Sequence, residues 1–315
     1  MRQRNPLFFL FNQCADPFMK IYFALALVIA MAPSQAQVVK VDSSTHWKKG
    51  LNFGANLNQA SFSSNWKAGG VNSIGLNTLF NYKANYKAGR DSWDNEIDLL
   101  FGFVNNQGQG YRKTSDRIYL DTKYGRDLGH HWGLFSSLTF STQFAKGYNY
   151  KDDNTKDLIS DIFAPAFFTS AWGLEFHPED YFKLRIAPFA PRLTIVKDPS
   201  RFVASVGPSP YGVEPPEDVR WEWLAFQMQA EFNKDIAENL NLKWRYVVFA
   251  NYETLEGKKI DHRLDLNLTA KVNQFINVGI GGIMLYDYDQ DTRVQLSQAL
   301  TIGFAYSFRN YAEKK

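Results

Sequence analysis

Residues 294–309 read VQLSQALTIGFAYSFR, and they alternate. Val294, Leu296, Leu300, Ile302, Phe304, Tyr306 and Phe308 are apolar, while Gln295, Ser297, Ala299, Thr301, Gly303, Ala305, Ser307 and Arg309 are small or polar. A period of two puts these sets on opposite faces of one extended strand, oily on one side and wet on the other. Residues 260–272 repeat the pattern, with Leu264, Leu266, Leu268, Ala270 and Val272 set against Asp261, Arg263, Asp265, Asn267, Thr269 and Lys271.

Weaker copies run backward along the chain. They centre on Leu240 to Val248, Leu224 to Phe232, Phe182 to Ile186, Leu134 to Phe144, Ile118 to Tyr124, Trp93 to Phe103 and Ile74 to Tyr86. With strands expected over residues 51–57, 163–176 and 276–286, the count is about twelve. Most segments run ten residues or more, roughly what a tilted strand needs to cross a bilayer and longer than a usual globular strand. The pattern predicts an all-β fold, a closed antiparallel up-and-down transmembrane β-barrel, because lipid leaves no water for the unpaired edge of an open sheet.

The connections support that reading. Short ones are expected at 87–91, 127–131, 177–180, 235–239 and 271–274. Longer ones are expected at 60–70, 104–115, 145–159, 197–220 and 252–258, with a modest one at 287–293. Tight turns on one side and longer loops on the other match an outer-membrane barrel, and an even strand number places both termini in the periplasm. Trp66, Trp93, Trp132, Tyr181, Trp221 and Tyr288 lie near segment ends, where aromatic girdles form.

The N-terminus predicts export. After Met19 and Lys20 comes an apolar run from Ile21 to Ala32, then Pro33 and the small-residue pattern Ser34, Gln35, Ala36. This is the layout of a secretory signal peptide, with cleavage between Ala36 and Gln37. The domain expectation is a leader over 1–36, with a natural start at Met19, and a barrel over 37–315. The single cysteine, Cys14, falls in the leader, so the mature chain has no disulfide or thiol chemistry. Removing the leader takes the formal charge from +3 to about +1, which leaves no electrostatic footprint for nucleic acid. Charged residues at 21% beside aromatic residues at 16% suit strands that alternate oily and polar positions.

Catalytic motifs do not emerge. There is no G-x-S-x-G elbow, H-E-x-x-H or P-loop, and His130, His131 and His177 read as solvated turn residues. Asp287, Asp289 and Asp291 begin like a calcium loop, but the central glycine is missing and Gln298 stands where the bidentate Glu belongs. No metal and no cofactor is expected.

The interior is where charge collects. Lys123, Arg185, Lys243, Arg245, Arg263, Glu96, Asp98, Asp261 and Asp265 are the candidate lumen-lining residues, with Lys83, Arg117, Lys183, Asp94, Asp121 and Glu231 beside them. Two outcomes are open: these charges line an aqueous path, or they pair across a narrow interior and fill it. The Pro-rich loop at 197–220 either folds inward as a constriction or stands outside as a contact surface.

Two resemblances follow from particular residues. The run Thr301, Gly303, Tyr306, Phe308 resembles the terminal-strand signal read by the outer-membrane barrel assembly machinery. Asn58-Gln59-Ala60-Ser61-Phe62, Asn65 to Gly70, Trp93-Asp94-Asn95, Lys113, Asp116, Lys123-Tyr124-Gly125, Thr142-Gln143-Phe144, Gly147-Tyr148 and Ala187-Pro188 together resemble an outer-membrane family of Bacteroidetes-type bacteria, domain of unknown function 3078. That resemblance implies the compartment and the barrel; it brings no activity and no catalytic residue. The expected partners are outer-membrane lipid and lipopolysaccharide, the assembly machinery during insertion, and a small polar solute. The expected function is a passive channel or envelope barrel. The alternatives are a structural or adhesive barrel whose external loops bind a partner, and a lipid-acting enzyme, for which no Ser–His pair is placed by spacing.

Overall fold

Alternating residues make strands here because each places one apolar and one polar face in register with its neighbours. A computed structural model describes residues 46–61, 71–151, 155–273 and 275–310. Its strands are β1 (Trp47–Ala60), β2 (Ser73–Ala88), β3 (Asp91–Asn106), β4 (Gly110–Gly129), β5 (Trp132–Thr142), β6 (Gly147–Tyr150), β7 (Lys156–Ser160), β8 (Ala166–Glu179), β9 (Phe182–Phe189), β10 (Arg192–Ile195), β11 (Val219–Glu222), β12 (Ala225–Ala237), β13 (Leu240–Asn251), β14 (Asp261–Lys271), β15 (Ile276–Asp287) and β16 (Asp291–Arg309). The leader expected over residues 1–36, the cleavage expected between Ala36 and Gln37, and Trp66 lie outside the described residues.

Fourteen of these strands form one antiparallel sheet that closes on itself through β8–β9 and β1–β16, while β6 and β7 make a separate hairpin. In the wall, β9 continues into β10 and β11 into β12. The two breaks, at residues 190–191 and 223–224, face each other, with the Ala190 N–H donating to the Ala225 carbonyl, and at the first of them Pro191 has no N–H to give the ladder. Counting each broken pair once gives a closed barrel of twelve strands, in agreement with the sequence.

The connections correct one expectation. Residues 104–115 do not form a longer loop, because β3 and β4 stay paired until Asn106↔Gly110, while the connection expected to be modest at 287–293 is a short turn between Asp287 and Asp291. The polar residues there remain in the ladder, since a pleated hairpin tolerates polar side chains on both faces once both are in water. At the other end every turn is tight, and His130 and His131 sit in one with φ of 53° and 66°. Two successive left-handed residues suit a two-residue hairpin turn.

The outward residues are large and apolar: Trp93, Ile97, Leu120, Leu134, Leu138, Leu266, Ile280, Leu296 and Leu300 are all exposed. Trp221 and Trp223 stack on each other outside, ring centroids 4.5 Å apart. A monomer in water rarely exposes an apolar band that encircles it.

One glycine is required by close approach. At the register shift between Trp172 and Leu174, the backbone of β9 presses against Gly173, and a Cβ there would lie 2.7 Å from the Ala187 Cα and closer still to the Ile186 carbonyl oxygen. We expect Gly173→Val to cost about 3 kcal/mol, the upper end for overpacking. Loss of the heat-modifiable folded band on cold electrophoresis checks this.

The longest ordered connections fold against each other. Phe202, Val196, Val213 and Ala164 form a small core with Leu158, Val206 and Tyr211 packed on it. The Tyr211 hydroxyl donates to the Ile159 carbonyl oxygen, Ser205 Oγ donates to that of Leu158 at 2.5 Å, and Arg201 pairs with Asp161 at 2.7 Å. Burial pushes the Tyr211 hydroxyl's pKa up. The β6–β7 hairpin and the loop at 197–218 are thus one ordered cap. Phe202→Ala should loosen it, at about 3 kcal/mol for a buried phenylalanine, and trypsin should then cut at Lys197 or Arg201 in folded protein while the wild type resists.

Candidate functional site: the charged interior

Strand parity and position decide which charges meet. The ladder pairs Lys83 with Glu96, Glu96 with Asp121, Glu175 with Arg185, Glu231 with Arg245 and Arg245 with Asp265, so these side chains share the inner face. Lys123 is 1% exposed, with Nζ 2.5 Å from Glu175 Oε2 and 3.1 Å from Asp94 Oδ2. Arg185 Nε reaches the same Glu175 oxygen at 3.0 Å, and its Nη1 lies 3.5 Å from Asp121 Oδ2.

Two pairs span the lumen. Arg245 on β13 donates to Glu96 on β3 at 2.9 Å, and Arg117 on β4 reaches Asp265 on β14 at 3.4 Å. In a ring of twelve, β3 and β13 are six strands apart, as are β4 and β14, so each pair joins opposite walls. Both cations also hold neighbours, Arg245 at Glu231 (3.2 Å) and Arg117 at Asp98 (2.9 Å). Arg263 holds Asp265 at 2.9 Å, and Asn81 donates to Glu96 at 2.8 Å. Arg245 further lies over the Tyr119 ring at 5.0 Å. At this level side chains meet in the middle, which is the second of the two outcomes left open by the sequence.

Of the expected lumen residues, Lys123 and Arg185 stand in a cluster around Glu175, and Arg245, Arg263, Glu96, Asp98 and Asp265 stand in the lattice that crosses the lumen, linked through Asn81. Asp261 lies apart, paired with Arg192 at 2.9 Å. Lys243 is inward on β13, paired in the ladder with Asn233 and Asn267, and joins no ion pair among the described residues. Two participants escaped sequence reasoning. Glu175 sits between outward Leu174 and Phe176, an alternation that could have placed it. Arg192 follows the break at Pro191, where parity reverses, and nothing in the sequence announced the reversal.

The three aspartates of the last connection are engaged: Asp289 with Arg220 at 2.6 Å, Asp291 with Arg293 at 3.2 Å, and buried Asp287 with the Gln290 amide at 2.5 Å. Thr301, Gly303, Tyr306 and Phe308 lie on β16, the strand that closes the ring against β1.

Residues 57–148 match the family model described as a protein of unknown function, DUF3078. The match spans the last four residues of β1, all of β2 to β5 and the start of β6, including Glu96, Asp98, Arg117, Asp121 and Lys123. No curated protein matches the sequence. Among solved structures, an outer membrane channel from Pseudomonas putida F1 is similar at 9% identity and a TM-score of 0.39, over 88% of this chain and 99% of that one. The NanC porin is similar at 9% identity and a TM-score of 0.40, over 81% and 98%. The translocator domain of autotransporter NalP from Neisseria meningitidis gives 10% identity and a TM-score of 0.33, over 92% and 95%. Likeness at this level carries no argument about function, which rests on the barrel's own residues.

Proposed function

We propose that the chain is an outer-membrane barrel that gives small polar solutes a narrow passive route, held shut at rest by ion pairs across its lumen. The observation that carries this is the pair of contacts between opposite walls, Arg245–Glu96 and Arg117–Asp265. A barrel needing only a filled interior gains little from such pairs, since apolar side chains of similar volume stabilise as well or better. A charged lattice, unlike an apolar plug, can part and be wetted. The apolar outer band favours lipid around the wall, with lipopolysaccharide in its outer leaflet, and the tight turns at the end where β1 begins and β16 finishes favour the periplasm for both termini. β16 is then the strand offered to the assembly machinery, with Thr301, Gly303, Tyr306 and Phe308 as its signal. This reading needs no nucleophile, base or cofactor.

Recordings in planar bilayers from folded, heat-modifiable protein test it. The wild type should give rare, small steps, and variants that remove the crossing arginines should open it. Silence from both rejects the channel. The ordered cap favours a second reading, an external contact surface for a partner. It predicts that loosening the cap with Phe202→Ala abolishes partner binding and leaves conductance unchanged.

A further inference from the structure

The wall is not zipped equally all the way round. β1 and β16 pair only from Gly50↔Arg309 to Ala55↔Phe304, six residue pairs. By contrast β1 is paired to β2 along its whole length, and β16 to β15 from Phe304 as far as Asp291. Beyond Ala55 and Phe304, no ladder joins residues 56–60 to 291–303 among the described residues. Gly303 marks the last contact: a Cβ on it would lie 2.7 Å from the Ala55 carbonyl oxygen and 2.6 Å from Asn56 Cγ.

Past that point β16 is open on both faces. Outward Leu296, Leu300 and Ile302 are 79%, 65% and 60% exposed, and inward Gln295, Ser297 and Ala299 are exposed as well. The opening also lies no lower than the ion pairs. Glu96 and Arg245 are the sixth residues of their strands counted from the tight-turn end, while Gly303 is the seventh from Arg309 and Asn56 the tenth from Trp47. A solute entering from the cap end therefore meets this gap before the lattice.

From this the geometry points to a lateral opening between β1 and β16, through which uncharged amphiphiles pass sideways between the lumen and the surrounding lipid. The inference rests on the membrane reading above. Its solute class follows from the lining. From Thr301 to Gln295 the flank of the lumen beside the gap is neutral, with Gly279, Gly281, Ile283, Ser297, Ala299 and Thr301, and the charges at its outer end, Asp291 and Arg293, are paired with each other, so a formal charge finds no free counter-charge there. Edge N–H and C=O groups facing hydrocarbon must find hydrogen bonds, which a polar headgroup or its water supplies. Leu296, Leu300 and Ile302 would meet the apolar tail.

The chain has a single cysteine, Cys14, so in a Cys14→Ser background single labels are clean. Bimane on Ala299→Cys, inward at the gap, should be quenched by doxyl-phosphatidylcholine in proteoliposomes severalfold more than bimane on Asn267→Cys, inward in the closed wall. Oxidation should cross-link Asn52→Cys/Ser307→Cys, a paired position, and leave Asn58→Cys/Thr301→Cys, its continuation across the gap, unlinked. Relative to outward Ile302→Cys, a doxyl fatty alcohol should quench Ala299→Cys more than the ionised doxyl fatty acid does. Equal quenching at Ala299→Cys and Asn267→Cys, or full cross-linking of the 58/301 pair, overturns the opening; equal effects of alcohol and acid overturn the solute class. Conductance reads the axial route only, so an electrically silent barrel with lipid quenching at Ala299→Cys rejects the polar channel and keeps the lateral one.

Discussion

The Arg117→Ala/Arg245→Ala double variant should conduct in planar bilayers with steps severalfold larger than the wild type, while each single variant falls between. The reasoning is geometric. Each guanidinium bridges opposite walls, so removing one takes away a crossing contact and a bulky group while the other crossing remains. Removing both leaves Glu96, Asp98, Glu231 and Asp265 facing the axis without these cations, and the altered lumen should favour cations over anions. Reversal potentials under a salt gradient read that selectivity directly. Salt matters too: ion pairs wetted by an aqueous lumen are screened, so the wild type should open more often at 1 M than at 0.1 M salt, where the Debye length falls from about 10 Å to about 3 Å. A double variant no more conductive than the wild type would show that the interior is closed by something other than these pairs.

How much of this was legible in the sequence depended on whether the question was local. The two faces of β14 and β16 could be read residue by residue, because a period of two survives any tilt or twist of the strand. The twelve-strand count followed from the same signal. Connection length failed at 104–115, since residues such as Asn105, Asn106 and Gln107 look like loop residues and yet, except for the turn itself, extend a paired hairpin into water. The inward set was partly legible: Glu96, Lys123 and Arg245 were found from parity, whereas Arg192 and Glu222 sit beyond breaks at 190–191 and 223–224 that reverse it. Which charge meets which was not legible at all. That Arg245 should find Glu96, 149 residues away, depends on ring closure and strand stagger, neither of which is written in any one strand. The gap beside Gly303 was hidden for the same reason, because alternation continues unbroken through residues that have lost their neighbour.

Lys123→Met should lower the stability of the folded barrel by about 3–5 kcal/mol, the range for removing one partner of a buried ion pair. Lys123 is nearly inaccessible and sits between two carboxylates, and methionine keeps much of its volume while stripping the charge. What remains is the more important half of the argument. Glu175 still has Arg185 at 3.0 Å, whereas Asp94, which water reaches only in part, loses its cation and gains no other. The cost should therefore come mainly from the stranded Asp94, and Lys123→Met/Asp94→Asn should recover more stability than Lys123→Met/Glu175→Gln, which frees Arg185 from one of its two partners. Urea unfolding in detergent micelles, followed by tryptophan fluorescence and by mobility on cold gels, separates these variants, and Asp94→Asn and Glu175→Gln alone complete the two double-mutant cycles. If Lys123→Met moves the midpoint no more than a surface substitution does, then water reaches this site freely and the lattice closes the lumen without holding the wall together.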